Sequence, residues 1–179
     1  MKIIFTGAQG TGKTTILNHY KEQGYNIITE VVRNLSKEGV KINEMGDLEG
    51  QRKIFATYNK ILNKEESYIS DRGLTDVTAY TSYLGIKNDD NDLRIETLYQ
   101  LADIQDFYQK NPDVITCYFP VEFPVVDDGI RSLNEDFRQD IDKGIQNVLE
   151  GLGIQYHTIT GTVEERIKQI DKIIQDVTL

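Results

Sequence analysis

A glycine-rich loop near the start of the chain constrains the fold more than any other stretch of the sequence. It has the pattern Gly-x-x-x-x-Gly-Lys-Thr and consists of Gly7, Ala8, Gln9, Gly10, Thr11, Gly12, Lys13 and Thr14, with Thr15 behind it. A short apolar strand precedes the loop and a helical pattern follows it. Glycine lets the backbone turn its N–H groups inward, so such a loop can cradle a polyphosphate at the positive end of the helix. The motif in this context predicts a nucleotide-binding P-loop in which all of these residues contact the nucleotide.

Two side chains of the loop have predicted roles of their own. We expect Lys13 to reach the β- and γ-phosphates of the nucleotide and to act in catalysis. We expect the hydroxyl of Thr14 to bind Mg²⁺. The alternative is a flexible glycine turn between a strand and a helix, which would not require the lysine and the threonine.

Composition narrows the class of protein. The chain of 179 residues is long enough for one domain with a substantial core, and we expect residues 1–179 to form one. No apolar run approaches the roughly 18 residues of a membrane span. The sequence enters a strand at once, which speaks against a signal peptide. Cys117 is the single cysteine of the sequence. These features predict a cytoplasmic protein, monomeric or homodimeric, without a disulfide framework or a cysteine-based metal site.

The charge bears on possible partners. A net charge of −9 speaks against a surface that holds a nucleic-acid backbone, which needs clustered lysine and arginine. The negative net charge is still compatible with a small phosphorylated ligand in a local basic pocket.

Strands and helices alternate along the chain. Apolar patterns predict strands at residues 2–6, 25–29, 68–71, 113–119 and 155–159, with helices between them. Leu98 is expected on the inner face of the helix before the fourth strand. Capping boxes at Ser132…Glu135 and Thr162…Glu165 are expected to begin the last two helices. The alternation predicts an α/β fold, with a five-stranded parallel sheet, helices on both faces and a ligand at the carboxyl ends of the strands.

Two acidic residues at strand ends are candidates for the chemistry. Asp71 ends the third strand, where its carboxylate can hold Mg²⁺ or its water shell together with Thr14. The alternative for Asp71 is a helix N-cap. Glu30 ends the second strand, which we expect beside the strand that leads into the P-loop. Its carboxylate can accept the proton of an attacking hydroxyl, with Arg33 one turn further on, whereas the alternative is a solvated Glu–Arg pair.

The segment at about 120–138 has the proline and glycine pivots of a mobile lid. Phosphoryl transfer places negative charge on the equatorial oxygens, and Arg131 of this segment could stabilise that charge in catalysis. The alternative is a surface loop in which Arg131 pairs with Asp127 or Asp128. The predicted substrate-binding residues are Glu30, Arg33, Arg72 and Arg138.

Four segments, 7–15, 30–33, 71–73 and 128–132, occur in this order over nearly the whole chain. Together they resemble the P-loop kinase-like family, which includes the ribosylnicotinamide kinase domain of bacterial bifunctional NAD regulators and small phage and bacterial AAA or ATPase domains. The Asp-Gly-Ile-Arg-Ser segment is the most specific match. The resemblance implies the three-layer P-loop NTPase fold and a phosphotransferase that uses ATP and Mg²⁺ to phosphorylate a small molecule.

The sequence also resembles deoxynucleoside kinases, in which the base follows the second strand and an acidic-Arg pair follows the third. It has Asp71 where those enzymes have glutamate, so the acceptor stays open among nucleosides, ribosylnicotinamide and nucleoside monophosphates. Whether Glu30 or Asp71 is the base stays open as well.

Other classes of P-loop protein fit less well. The chain lacks the Asn-Lys-x-Asp motif of a GTPase, and its most hydrophobic strand ends in Phe119-Pro120 rather than in the acidic pair of an AAA motor. A kinase of nucleic-acid ends would need a basic groove, for which the sequence offers no dense run of lysine and arginine. A nucleotide sensor without turnover is the remaining alternative.

Overall fold

The computed structural model describes residues 1–124 and 133–178. The strands in these ranges are β1 (Lys2–Thr6), β2 (Ile27–Ile28), β3 (Tyr68–Asp71), β4 (Val114–Tyr118) and β5 (His157–Thr158). The helices are α1 (Lys13–Glu22), α2 (Val31–Lys37), α3 (Leu48–Lys64), α4 (Leu74–Lys87), α5 (Asn91–Lys110), α6 (Glu135–Gly151) and α7 (Val163–Thr178), with one 3₁₀ turn at Asn43–Met45. In these two ranges no helix has the length and apolar character that crossing a membrane demands.

The strands form one parallel sheet in the order β2-β3-β1-β4-β5. The predicted α/β class and the five-stranded parallel sheet are confirmed. The expectation that β2 lies beside β1 is wrong, because β3 lies between them. Ile27 and Ile28 pair with Ile69 and Ser70, so the two-residue β2 forms the edge of the sheet. The almost completely buried β1 takes the centre, where both faces of a strand are covered.

Helices cover both faces of the sheet. Ile4 of β1 packs into a core with Tyr58 of α3 and Leu74 of α4. Its neighbours Ile3 and Phe5 point to the opposite face, into a core with helices α1 and α7. This alternation follows from the two-residue period of a strand, and it produces the three layers of the fold.

The structure corrects two details of the helices. Asn134 caps α6, because its side chain accepts a hydrogen bond from the N–H of Phe137 at 3.1 Å. The predicted cap Ser132 lies outside the described residues. Leu98 is 66% exposed, since it lies about 140° around α5 from the buried Leu93. The capping box of α7 is present, with reciprocal Thr162–Glu165 hydrogen bonds of 2.8 and 3.3 Å.

Candidate active site

A cleft of about 330 Å³ lies at the carboxyl ends of the strands. Its wall contains the P-loop residues Gln9, Gly10, Thr11, Gly12, Lys13, Thr14 and Thr15, and also Glu30, Arg33, Asp71 and Arg72. Most of the predicted site residues therefore meet in one place, although they come from three separate strand ends. Gly7 and Ala8 are buried outside this lining. Arg131 lies outside the described residues, as does the part of the predicted lid at 125–132.

The P-loop has the backbone geometry that its glycines permit. Gly7, Gly10 and Gly12 have φ values of 145°, 71° and 87°. A Cβ on Gly7 would lie 2.4 Å from the carbonyl oxygen of Phe119, so only glycine fits there. Gly12 precedes α1 without a side-chain cap, which leaves N–H groups of the first helical turn available to an anion.

Lys13 lies inside the loop. Its buried Nζ donates hydrogen bonds to the carbonyls of Gly7 at 2.7 Å and Ala8 at 2.8 Å, and to the hydroxyl of Thr11 at 3.0 Å. These contacts place a positive charge at the centre of the loop, where a phosphate would need it.

Asp71 is the last residue of β3, and its carboxylate has an unusual environment. Its Oδ1 is buried and has no hydrogen-bond partner among the residues that the structure describes. A buried carboxylate oxygen is costly unless a donor or a cation meets it. Thr14 lines the same cleft and is exposed.

This pair of oxygen donors fits Mg²⁺. The ion is usually bound by one or two carboxylates together with phosphate oxygens and waters, so it needs no complete cage of protein ligands. In the described ranges, no group of three or more His, Cys, Asp or Glu residues could hold a metal ion without phosphate. Asp71 and Thr14 are the residues of the cleft that could hold such an ion together with a nucleotide.

Arg72 forms part of the cleft wall. Its backbone is left-handed, with φ 77°, and its N–H donates to the carbonyl of Phe5 at 2.8 Å. The guanidinium lies 5.6 Å from the centre of the Tyr80 ring and 3.9 Å from Oδ1 of Asp76. The aromatic ring and the carboxylate thus hold the arginine against the cleft.

Glu30 stands at the N-cap of α2 with the left-handed values φ 62° and ψ 10°. Such a backbone is uncommon outside glycine, and strained positions of this kind concentrate at functional sites. Its Oε2 lies 3.5 Å from Nε of Arg33, and 45% of the Glu30 side chain is exposed. The Glu–Arg pair that the sequence analysis gave as the alternative is therefore present, and its exposure leaves the carboxylate accessible from the cleft.

Asp76 is a site residue that the sequence analysis missed. It is 1% exposed, and it accepts hydrogen bonds from the hydroxyl of Thr6 at 2.8 Å, the N–H of Gly7 at 3.1 Å and the N–H of Gly73 at 3.0 Å. It joins the start of the P-loop to the start of α4. The available signal was an acidic residue three positions after Gly73, at the point where a helix N-terminus is usually capped.

A second buried carboxylate lies beneath the loop. Asp142 accepts hydrogen bonds from the Tyr118 hydroxyl at 2.8 Å and from Nε2 of Gln146 at 3.2 Å. Burial raises the pKa of the Asp142 carboxyl above its ordinary value of 3.8, although these hydrogen bonds and the charge of Lys13 act in the opposite direction.

Arg138 does not lie in the cleft, contrary to its predicted contact with substrate. Its buried guanidinium lies behind the P-loop and donates to the carbonyls of Gln9 and Gly10. It also donates to the carbonyl of Phe123 and pairs with Glu135 of the same helix. The side chain faces inward because Arg138 lies on the same face of α6 as the buried Ile141 and Asp142, three and four positions further on.

Arg166 occupies the equivalent place on α7 and was also missed. It is 2% exposed, and it donates to the carbonyl of Thr11 at 2.6 Å and to that of Gly161 at 2.9 Å. It also pairs with Glu122. No sequence motif distinguishes it from other arginines.

The fold and the P-loop define a protein of the P-loop NTPase class. The model of the AAA domain family matches residues 2–166, and the chain belongs to this family. The predicted resemblance to small AAA domains is thereby confirmed. No protein of curated function matches the sequence.

Solved structures share the fold at low identity. Deoxyadenosine kinase from M. mycoides, with products dCMP and a flexible dCDP bound, has a TM-score of 0.69 and 18% identity, over 99% of this chain and 100% of that one. YorR from Bacillus subtilis, in complex with phosphorylated GDP, has a TM-score of 0.60 and 20% identity, over 98% and 96%. NadR in complex with NR has a TM-score of 0.64 and 13% identity, over 89% of this chain and 44% of that one.

Proposed function

We propose that the protein is an ATP-dependent kinase, which transfers the γ-phosphate of ATP to a hydroxyl of a small nucleoside-like or nucleotide acceptor. The observation that carries the proposal is the meeting of the P-loop with Glu30 and Asp71 in one cleft. A protein that only binds nucleotide has no need of two carboxylates from two further strand ends beside the phosphate loop. A kinase needs them for the metal and for the attacking hydroxyl.

The residues divide the reaction between them. The P-loop amides and Lys13 hold the β- and γ-phosphates, and Thr14 and Asp71 hold Mg²⁺, which offsets the charge of the phosphates. Glu30 orients the acceptor hydroxyl and takes its proton as the new O–P bond forms and the bond to the leaving ADP breaks. Arg33 and Arg72 supply positive charge on the acceptor side.

The cleft also suits the proposed acceptor. Its size lies at the lower end of the range for small-molecule pockets. Opposite the P-loop the wall contains Ile54, Val77 and Tyr80, with the polar Gln51 and Tyr58 among them. An apolar and aromatic wall with a few polar groups can receive a flat heterocyclic base. The fold likeness to proteins that bind dCMP, phosphorylated GDP and NR supports an acceptor of this chemical class.

An ATP-consumption screen tests the proposal, with a panel of nucleosides, ribosylnicotinamide and nucleoside monophosphates as acceptors. On the preferred acceptor, Glu30→Gln should lower phosphoryl transfer by about 10²-fold or more and leave ATP binding intact, because glutamine cannot take the proton. Glu38→Gln is the matched control, since Glu38 follows the same helix and pairs with Lys53 on the surface.

The possible results separate the roles. Full activity of Glu30→Gln would transfer the base function to Asp71. If no acceptor is phosphorylated and Glu30→Gln leaves a slow background ATPase unchanged, the kinase proposal is wrong.

A further inference from the structure

Two buried arginines lie behind the P-loop, on the side away from the cleft. We propose that Arg138 and Arg166 are positioning residues, which fix the loop so that the N–H groups of Gly10, Thr11 and Gly12 face the phosphates. The inference rests on the proposed binding of a nucleotide in the cleft, and it assigns these arginines a role through the backbone rather than a contact with substrate.

The contacts form a continuous series. Arg138 donates from Nε to the carbonyl of Gln9 at 2.9 Å and from Nη2 to the carbonyl of Gly10 at 3.4 Å. Arg166 donates from Nη1 to the carbonyl of Thr11 at 2.6 Å. Three consecutive peptide carbonyls of the loop are therefore bound by guanidinium groups from two different helices.

Peptide geometry turns these contacts into a constraint on the cleft side. In a trans peptide the carbonyl and the following N–H point in opposite directions, and no described peptide bond is cis. The N–H groups of Gly10, Thr11 and Gly12 must therefore point away from the arginines. A series of N–H groups with a common direction is the usual anion-binding arrangement of such loops.

The preceding part of the loop is oriented the other way. The carbonyls of Gly7 and Ala8 accept hydrogen bonds from Nζ of Lys13 inside the loop. The carbonyl direction consequently reverses after Ala8. The arginines hold the part in which the N–H groups, rather than the carbonyls, are free to face a phosphate.

The charges of the two arginines are largely neutralised where they stand. Arg138 pairs with Glu135 at 3.1 Å, and Arg166 pairs with Glu122. The guanidinium groups are buried, but the carboxylates of Glu135 and Glu122 are partly open to solvent, so the ion pairs contribute little to stability. Orientation of the loop explains what the buried guanidinium groups achieve, because the guanidinium fork can reach several carbonyls at fixed angles.

Arg166→Lys is the decisive variant, because lysine keeps the charge but has no rigid fork. The probes are inorganic tripolyphosphate and ATP, with affinities measured by calorimetry. We expect both affinities to fall by roughly tenfold or more, as for the loss of a charge-assisted hydrogen bond. In amide NMR spectra, the shifts that tripolyphosphate causes at Gly10, Thr11 and Gly12 should shrink in the variant.

Three further variants make the result specific. Arg138→Lys should give the same loss of affinity through the peptides after Gln9 and Gly10. Glu122→Gln removes the ion pair but not the contact to Thr11, so it should change the affinity far less. Arg94→Lys is the control. Arg94 lies on α5, outside the lining of the cleft, and forms an exposed ion pair with Asp89.

The outcomes distinguish this inference from the proposed function. If the wild type binds tripolyphosphate and both lysine variants, folded by circular dichroism, bind it equally well with unchanged amide shifts, the positioning role is refuted. If Arg166→Lys does not fold, Arg138→Lys decides alone. A wild type that binds neither tripolyphosphate nor ATP would overturn both proposals. A wild type that binds them, loses affinity in the variants and phosphorylates no acceptor would overturn only the kinase.

Discussion

Replacement of Glu30 by glycine should make the protein more stable and less active at the same time. Glu30 holds a left-handed backbone, with φ 62° and ψ 10°, at the N-cap of α2. Glycine adopts this conformation without the steric cost that a side chain brings, and it is an acceptable N-cap. The carbonyl of residue 30 would still accept the hydrogen bond from the N–H of Asn34, which is 2.9 Å long in the structure.

The size of the effect follows from three contributions. Relief of the left-handed backbone is worth about 1–2 kcal/mol, and the greater freedom of glycine in the unfolded chain costs about 0.5–1 kcal/mol. The exposed contact between Glu30 and Arg33 contributes only a few tenths of a kcal/mol. The free energy of unfolding should therefore rise by about 0.5 kcal/mol, or roughly 1–2 °C in Tm.

The loss of function is expected to be much larger. Without the carboxylate, phosphoryl transfer should fall by about 10²-fold or more, whereas ATP affinity should not change. Urea unfolding followed by circular dichroism gives the free energy of unfolding. Calorimetry gives the ATP affinity, and a coupled kinase assay gives the rate of phosphoryl transfer.

Asp89→Gly is the matched control for this experiment. Asp89 is also left-handed, with φ 52°, but it lies in the turn between α4 and α5 and pairs with the exposed Arg94. This variant should gain stability by a similar or smaller amount and keep full activity. A clear loss of stability in Glu30→Gly would refute the backbone argument, and unchanged turnover would remove Glu30 from the chemistry.

Three further outcomes are expected. Lys13→Ala should fold and lose most of its ATP affinity in calorimetry; undiminished affinity would argue against the P-loop site. Gly7→Ala should lower the free energy of unfolding, measured in urea, by about 3 kcal/mol or more, because the new Cβ would meet the Phe119 carbonyl. Gly24→Ala, at φ 89° with open space around the Cβ, should lower it by only about 1 kcal/mol. Equal losses in the two variants would contradict this. Burial raises the pKa of Asp142, so its stability contribution, fully present below pH 3.8, is lost as pH rises through the folded pKa. The wild type should thus lose stability relative to Asp142→Asn as the pH rises above about 4, and parallel unfolding curves would contradict this.

The features that the sequence predicts correctly are local. The P-loop, the strand at 68–71 and the Thr162–Glu165 capping box each depend on residues within a few positions of one another. A glycine pattern or a capping pair carries its own geometry, so a short window suffices to identify it.

The features that the sequence does not reveal depend on distant contacts. The order of β2 and β3 in the sheet depends on which of them pairs with β1. The two residues of β2 are too few for a hydrophobic pattern that would predict this pairing. Arg166 contacts Thr11 across most of the chain, and Arg138 reaches the loop only because of how α6 docks. Arg166 therefore has the sequence appearance of an ordinary helical residue, and Arg138 is predicted from the sequence to contact substrate rather than the loop. The left-handed backbone of Glu30 likewise follows from the junction of β2 with α2.

The central position of β1 has a consequence for how the protein is made. On a ribosome, β1 emerges well before β3 and β4, the strands that flank it in the sheet. Arg166, which binds the carbonyl of Thr11, emerges later still. The nascent chain therefore holds its phosphate loop without sheet partners until β3 and β4 have emerged, and without Arg166 until α7 has emerged. Nucleotide should protect the chain from proteases only after α7 has left the exit tunnel.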